Sequence, residues 1–365
     1  MGGEIPVGVE ALKAVALTPK MALEIAGIGL LGGTLSGFLG SGGAFIMTPA
    51  MMSLGIPGIM AVAANITHKF GKAIQGAKKH SEFGNVDKKM GIVMILALFL
   101  GVKLAVMVNT GVAKAMGAAG SDLYISVFFV VVLTVLTIFM ARDVMRYRKG
   151  IVDDGSGGGF AEKIRNLNLP PIINFPVAKT TVSLWIALFV GLATGYLAGT
   201  IGVGGFVGVP AMIYLLGCST YVAAGTELFL AIFSGAEGAY LYAMHGFTDV
   251  RIALLLYVGS MIGIQLGAIG TRIVKGSQIK LVMTSIIAMV AVSRAVMIPS
   301  YLSDLGYISV SEGTANTLNI LSNVFLFGSG IIGVLIILFW MLQALRRAGK
   351  GVTAGENQVD TVSSH

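Results

Sequence analysis

Charged residues are scarce in this sequence. Asp, Glu, Lys and Arg make up 12% of its 365 residues, hydrophobic residues make up 55%, and the mean hydropathy is +0.87. An ordinary soluble domain carries about 25% charged residues. A chain with so little polar material cannot cover a water-facing surface. The scarcity therefore excludes a soluble globular protein and predicts that a lipid bilayer surrounds most of the chain.

Cysteine and recognisable catalytic or metal-binding motifs are also lacking. A single cysteine, Cys218, excludes an intramolecular disulfide. The sequence has no His-Glu-x-x-His pattern, no cysteine cluster and no serine-centred nucleophile motif. We therefore expect no metal, no cofactor and no enzymatic activity, because an intramembrane enzyme would need a catalytic pair that the sequence does not show.

The net charge of +8 is the one feature that would suit a nucleic acid partner. The basic residues are concentrated in the loops between apolar runs, however. This distribution is the positive-inside pattern of membrane proteins. We expect no nucleic acid partner.

Long uncharged runs dominate what is present. There are 43 residues between Glu24 and His68, and 47 between Lys179 and Glu227, without a charged residue or histidine. Since one span needs about 20 apolar residues, each run can hold two passes, or one pass and a re-entrant element. Further spans are expected at 91–110, 123–141, 252–271, 281–298 and 318–342. The predicted fold class is an all-α, polytopic helical membrane protein.

The two halves of the chain match when one is shifted by 162 residues. Gly40-Ser41-Gly42-Gly43 then falls on Gly202-Val203-Gly204-Gly205. Other matched pairs are Gly55 with Gly217, Gly84 with Gly246, Asp87 with Asp249, and Gly101 with Gly263. The shared order predicts a duplication.

Loop charge predicts how the two repeats are oriented. Four lysines lie in 78–89, seven basic residues lie in 142–179, and a basic group follows at 346–350, whereas 299–317 has acidic residues only. The basic segments are expected in the cytoplasm, with the C-terminus. Gly84 is then inside and Gly246 outside, so the repeats are inverted, as in many secondary transporters.

These features divide the chain into seven segments. An N-terminal interfacial segment, with a short helix expected at Val7–Leu17, precedes the first repeat, and a cytoplasmic linker without a folded domain separates the repeats. An extracytoplasmic loop, a final span and a cytoplasmic tail follow. The predicted boundaries are 1–20, 21–142, 143–180, 181–300, 301–317, 318–345 and 346–365.

The two glycine motifs have two interpretations. Small residues allow transmembrane helices to pack closely. Alternatively, a helix broken at the glycines exposes free N–H groups at the start of the next half-helix, and these bind anions. The second interpretation makes substrate ligands of the motif residues, which are Gly42, Gly43 and Ala44 in the first half and Gly204, Gly205 and Phe206 in the second.

A polar stripe follows each glycine motif. Asn65, His68, Lys72 and Gln75 are spaced so that they share one helix face. The shift of 162 places Glu227, Leu230, Ser234 and Glu237 at the equivalent positions. Ionisable residues in a membrane normally face a cavity or one another, so the stripe predicts either a binding site or a structural ion pair between Lys72 and a glutamate. Lys69 lies off the stripe, and a snorkelling role is at least as well supported for it.

The motifs also resemble a known family. GSGGAFIMTPAMMSLGI and, more closely, GTIGVGGFVGVPAMIYLLGCSTYVAAGTELF are similar to the paired signature of the TauE/SafE sulfite exporter family of anion permeases. The resemblance covers about 21–299 and reaches the glycine motifs and the pair Thr226-Glu227. Ala44, and the missing third glycine before Phe206, depart from the family pattern. The resemblance implies transport of sulfite or of small organosulfonates such as sulfoacetate.

Together, these observations predict a secondary active transporter in the prokaryotic plasma (inner) membrane. The half-helix N-termini and Lys72 are expected to bind a small oxyanion, with Asn65, His68, Gln75, Thr226 and Ser234 also contributing. Glu227 and Glu237 are unsuited to binding an anion directly and are expected to carry the coupling protons. An anion channel and a structural or regulatory membrane protein remain alternatives. The sequence leaves the oligomeric state open, a homodimer included.

Overall fold

Every described secondary-structure element in the first half of the chain is a helix. The computed structural model describes residues 15–39, 41–148, 169–273 and 276–359. Most of the expected N-terminal segment and the middle of the expected linker lie outside these ranges. The first half comprises α1 (Pro19–Leu39), a 3-10 helix (Ser41–Ile46), α2 (Met47–Ser53), α3 (Gly58–Glu82) and α4 (Lys88–Arg148).

The second half repeats this order after a short hairpin. Strands β1 (Ile172–Phe175) and β2 (Thr180–Ser183) pair antiparallel, with Ile172 opposite Ser183. The helices that follow are α5 (Leu184–Ile201), α6 (Gly205–Leu216), α7 (Thr220–Met244), α8 (Val250–Ile273), α9 (Gly276–Asp304) and α10 (Glu312–Val359). A shift of 162 residues places α3 on α7 at both ends.

The helices are those of a polytopic membrane protein, as predicted. Five described helices are long and apolar enough to cross a bilayer: Lys88–Arg142, Leu184–Ile201, Val250–Gly267, Leu281–Asp304 and Glu312–Trp340. The first contains two spans, because Gly117 interrupts α4 with φ 68° and ψ −158°. Large apolar side chains such as Leu96, Phe189 and Val258 are exposed on the outside of the bundle, where lipid solvates them.

The turns after equivalent helices use glycine in the same way. Gly55 and Gly217 follow α2 and α6, and their φ angles are 83° and 72°. Gly84 and Gly246 follow α3 and α7, with φ 70° and 77°. Only glycine adopts this left-handed conformation without a steric cost. The matched glycines in the sequence therefore mark matched helix ends.

The hairpin between the halves was not anticipated from the sequence. It is fastened to the first half by Asp87, whose Oδ2 accepts hydrogen bonds from the backbone N–H groups of Val177 (3.1 Å) and Ala178 (3.0 Å). Its Oδ1 accepts from the backbone N–H of Met90, at 3.0 Å, in the first turn of α4. A carboxylate beside a helix N-terminus is electrostatically favourable, so Asp87 both caps α4 and holds the hairpin.

Candidate functional site

Both glycine motifs interrupt the helices that contain them. In the second half, α5 ends at Ile201, Gly202 adopts φ 79°, and α6 starts at Gly205. In the first half, Gly42 and Gly43 lie in the 3-10 helix between α1 and α2. The 12 residues of α6 rise about 18 Å, which is less than the roughly 30 Å of a bilayer core. This half-helix is therefore too short to cross the bilayer by itself.

The two breaks contact each other. The Thr48 hydroxyl at the start of α2 donates to the carbonyl oxygen of Ile201 at the end of α5, at 3.1 Å. The rings of Phe45 and Phe206 lie 5.6 Å apart, centroid to centroid. The halves of the chain therefore meet at their glycine motifs.

Asn65 on α3 fastens the first break. Its Nδ2 donates to the carbonyl oxygen of Ala44 (3.1 Å) and to Thr48 Oγ1 (2.9 Å). Its Cβ also packs against the second break, because a Cβ placed on Gly202 would lie 3.1 Å from it. Asn65 is fully buried, so its amide holds the first break in position while its Cβ packs on the second.

A buried ion pair joins the two halves beside the second break. Lys69 Nζ on α3 lies 3.2 Å from Glu227 Oε1 on α7, and the two side chains are 8% and 0% exposed. The Glu227 carboxylate lies directly against Gly205, where a Cβ would come within 2.5 Å of Oε2. Within the described structure, Oε2 has no hydrogen-bond partner. Only glycine at 205 leaves room for this carboxylate at the start of α6.

A small cavity of about 10 Å³ lies between the breaks, enough for a water-sized group. Three basic side chains contribute to its wall together with residues from both motifs. The lining residues are Ala44, His68, Lys69, Lys72, Ala73, Val203, Leu228 and Ala231. The cavity therefore combines positive charge with residues from both helix breaks.

The two polar side chains of the stripe that line the cavity are held by the opposite half or by α1. His68 Nε2 lies 2.8 Å from Ser260 Oγ on α8, and Nδ1 has no partner among the described residues. The Lys72 ammonium donates to the Ser36 hydroxyl on α1. Neither Lys72 nor His68 extends to the surface as a snorkelling side chain would.

The structure brings together only part of the predicted site. Ala44, His68 and Lys72 line the cavity, and Asn65, Gly204, Gly205, Phe206 and Glu227 adjoin its walls. Gly42 and Gly43 lie in the 3-10 helix of the first break. Gln75, Thr226, Ser234 and Glu237 do not line the cavity. Gln75 is exposed and donates to the Tyr257 hydroxyl at 3.2 Å, and Thr226 accepts from the backbone N–H of Asp87 at 3.0 Å. Ser234 is buried elsewhere. Glu237 is half-buried and interacts electrostatically with Lys103.

Lys69 is the residue that sequence reasoning missed. The structural ion pair was expected for Lys72, but Lys69 forms it. The periodicity of α3 identifies one polar face, whereas α3 is packed on several sides and Lys69 points toward α7. One signal was available: Glu227 needs a cationic partner in an apolar run, and the candidates on α3 include Lys72 on the stripe and Lys69 beside it.

The charges at this site favour an anion. Two lysines and one glutamate meet here, so basic groups outnumber acidic ones at this place inside the bundle. Electrostatic attraction is several-fold stronger there than in water. Among the described residues, no three His, Cys, Asp or Glu side chains are grouped so that they could hold a metal ion. The arrangement suits a small oxyanion that can reach the lysines.

The comparisons with known proteins agree with this geometry. Residues 25–294 match the model of the family described as Sulfite exporter TauE/SafE. The chain is similar to the probable membrane transporter protein YunE of Bacillus subtilis (strain 168), with 22% identity over 72% of this chain and 93% of the relative. It is also similar to the probable membrane transporter protein YdhB of the same organism, with 24% identity over 65% of this chain and 84% of the relative. No solved structure matches the chain.

Proposed function

Because the chain belongs to the sulfite exporter TauE/SafE family, we propose that it is a secondary active transporter of a small sulfur-containing anion, either sulfite or a small organosulfonate such as sulfoacetate. The names of the relatives YunE and YdhB, both probable membrane transporter proteins, support transport rather than catalysis. The multi-pass helical architecture supports a location in the prokaryotic plasma (inner) membrane, with the C-terminus in the cytoplasm.

One observation carries this proposal. The cavity that Lys69 and Lys72 line lies between the two glycine-broken helices, and each half of the chain contributes to its wall. Sulfite and sulfonates present several oxygen atoms to such cations. Charge-assisted hydrogen bonds to oxyanions are stronger than neutral ones, so these lysines would bind the substrate.

The relation between the two halves supports alternating access. Equivalent helices pack on one another across the centre, and a site between two similar halves can be exposed by either one. Inverted repeats, supported by the loop charges, would open the same site to opposite sides of the membrane.

Proton coupling is assigned to the carboxylates of α7. Glu227 adjoins the substrate cavity, and Glu237 lies nearly three turns further along the same helix, near Lys103. A carboxylate in a membrane can carry a proton between the two states of a carrier. Glu227 is the better placed of the two because it contacts a lysine of the cavity directly.

Uptake into proteoliposomes tests this function. Purified protein should accumulate labelled sulfite or sulfoacetate when a pH gradient is imposed, and a proton-conducting uncoupler should abolish the accumulation. Protein-free liposomes provide the control for leakage. If none of several sulfur oxyanions is accumulated under either direction of the gradient, the proposal is wrong.

A further inference from the structure

The carboxylate of Glu227 occupies the position that an anionic substrate would be expected to take. It lies against Gly205 at the start of α6 and 3.2 Å from the Lys69 ammonium. A helix N-terminus and a buried cation are two features that attract anions. In this conformation the chain's own side chain satisfies both.

The two halves differ at this point. Asn65 is the residue equivalent to Glu227 after the shift of 162, and its neutral amide is engaged by Ala44 and Thr48 of the first break. Ala231 is the equivalent of Lys69. A buried carboxylate therefore lies at the second break only.

We propose that Glu227 is a tethered competitor of the transported anion for Lys69, so that the anion binds when Glu227 takes up a proton and releases the lysine. This inference rests on the proposed transport function and identifies how its site is regulated. The Lys69 ammonium then exchanges one anionic partner for another. The site gains one substrate anion and one proton in the same event.

The proton balance of this step is simple. The proton comes from the aqueous compartment to which the cavity is open and ends on a Glu227 carboxylate oxygen. Oε2, which lacks a hydrogen-bond partner in the described structure, is the oxygen that can accept it without breaking an existing bond. Lys69 keeps its own proton throughout. When the anion leaves on the other side, Glu227 loses the proton there and pairs with Lys69 again.

The cost of leaving Lys69 without a counter-charge favours direct replacement of the Glu227 carboxylate by the anion. An unpaired charge in the interior of a protein is strongly unfavourable. Neutralising Glu227 without supplying an anion would leave Lys69 and Lys72 facing each other with no counter-charge. Protonation and anion binding are therefore mutually dependent, which is the property that a coupled carrier requires.

Other ionisable or polar groups surround the pair, and the test must separate the ionisable ones from Glu227. His68 and Lys72 of α3 face the same cavity. Tyr257 of α8 lies beside the His68 ring, and Thr194 of α5 lies near Glu227 at Gly208. On α4, Lys103 acts on Glu237. Asp87, at the start of α4, is occupied by backbone N–H groups.

The test measures binding of methanesulfonate, whose charge does not change with pH in the range used. For the wild-type protein, binding should weaken about tenfold for each unit of pH above the titration of the site, which is the slope for one proton taken up with each anion. Adding methanesulfonate to weakly buffered protein should also remove protons from solution. This second measurement needs no variant.

The decisive variant is Glu227→Gln, which keeps the shape of the side chain and removes its charge. It should bind methanesulfonate about tenfold more tightly than the wild type at alkaline pH, with the pH dependence lost. Glu82→Gln, the same change on an exposed carboxylate at the end of α3, is the matched control and should behave as the wild type. Lys69→Met combined with Glu227→Gln removes both charges and should not bind the anion.

The outcomes separate the two proposals. If the wild type binds methanesulfonate without proton uptake, or if Glu227→Gln retains the pH dependence, the competition model is wrong although transport stands. If Glu237→Gln, and not Glu227→Gln, removes the pH dependence, the model is also wrong. If the wild type neither binds nor transports any sulfur oxyanion, the transport function itself is overturned.

Discussion

Gly33 lies against the carbonyl oxygen of Ser260. The equivalent contact, with both residues related by the shift of 162, joins Gly195 to the carbonyl oxygen of Leu98. A Cβ on Gly33 would come within 2.5 Å of the Ser260 oxygen. The first helix of each half therefore packs, backbone against backbone, on the fourth helix of the other half. These two reciprocal contacts hold the two halves together in one bundle.

Alanine at Gly33 or Gly195 should destabilise the protein. The added methyl group has no space without a backbone shift, and overpacking of this kind costs about 1–3 kcal/mol. The thermal unfolding midpoint in detergent should fall for both variants. Gly27→Ala is the control on α1, because a Cβ there meets nothing within 4 Å. Equal midpoints for Gly27→Ala and Gly33→Ala would contradict the close packing.

Single cysteines at Gly84 and Gly246 test the orientation of the repeats. In a Cys218→Ser background, each should react with a membrane-impermeant thiol reagent from one side only. Inverted repeats place the Gly84 turn in the cytoplasm and the Gly246 turn outside. Labelling of both positions from the same side of intact cells would exclude the inversion. Labelling after permeabilisation shows that each cysteine is reactive.

Gly205→Ala should disturb the ion pair without removing either charge. The new methyl group would lie about where the Glu227 carboxylate is, since a Cβ at 205 approaches Oε2 to 2.5 Å. The carboxylate must then move away from Lys69, and uptake driven by a pH gradient should decrease at least about tenfold. Gly111→Ala, in open space on α4, serves as the control. Wild-type uptake by Gly205→Ala would show that the carboxylate position is unimportant.

Arg294 should matter for stability. Its fully buried guanidinium donates from Nη2 to the hydroxyls of Ser53 (3.2 Å) and Ser322 (3.0 Å), which joins α9 to α2 and α10. The Asp122 carboxylate interacts with it electrostatically. Arg294→Met removes both hydrogen bonds, leaves the buried hydroxyls without this donor, and should cost about 1–3 kcal/mol.

The Arg294 prediction is measured as a thermal unfolding midpoint in detergent. Arg251→Met, a change at an exposed arginine, should have little effect because surface ion pairs contribute about 1 kcal/mol or less. If Arg294→Met and Arg251→Met unfold at the same temperature, Arg294 has no stabilising role.

Much of the helical framework was predictable from the sequence. Apolar runs give the spans directly, and glycines such as Gly202 and Gly217 mark helix ends because their conformations exclude other residues. The hairpin at Ile172–Ser183 was not predictable, since its strands are only four residues each. Its position depends on Asp87, which is distant in sequence.

The site was predictable only in part, for a related reason. His68 and Lys72 follow from helical periodicity, whereas the inward position of Lys69 depends on how α7 packs against α3. Glu237 and Gln75 share the predicted stripes but lie beyond the end of the cavity, because a stripe gives direction around a helix and not the depth at which a site occurs. That depth is set by how the helices pack in the assembled bundle.

Counterflow in proteoliposomes tests most directly whether the protein is a carrier with an alternating site. Vesicles are loaded with unlabelled sulfite and diluted into a trace of labelled sulfite without a pH gradient. A carrier exchanges internal for external anion, so label should accumulate transiently above its equilibrium level, in the wild type and in Glu227→Gln alike. A steady approach to equilibrium without this overshoot would identify a channel and contradict alternating access.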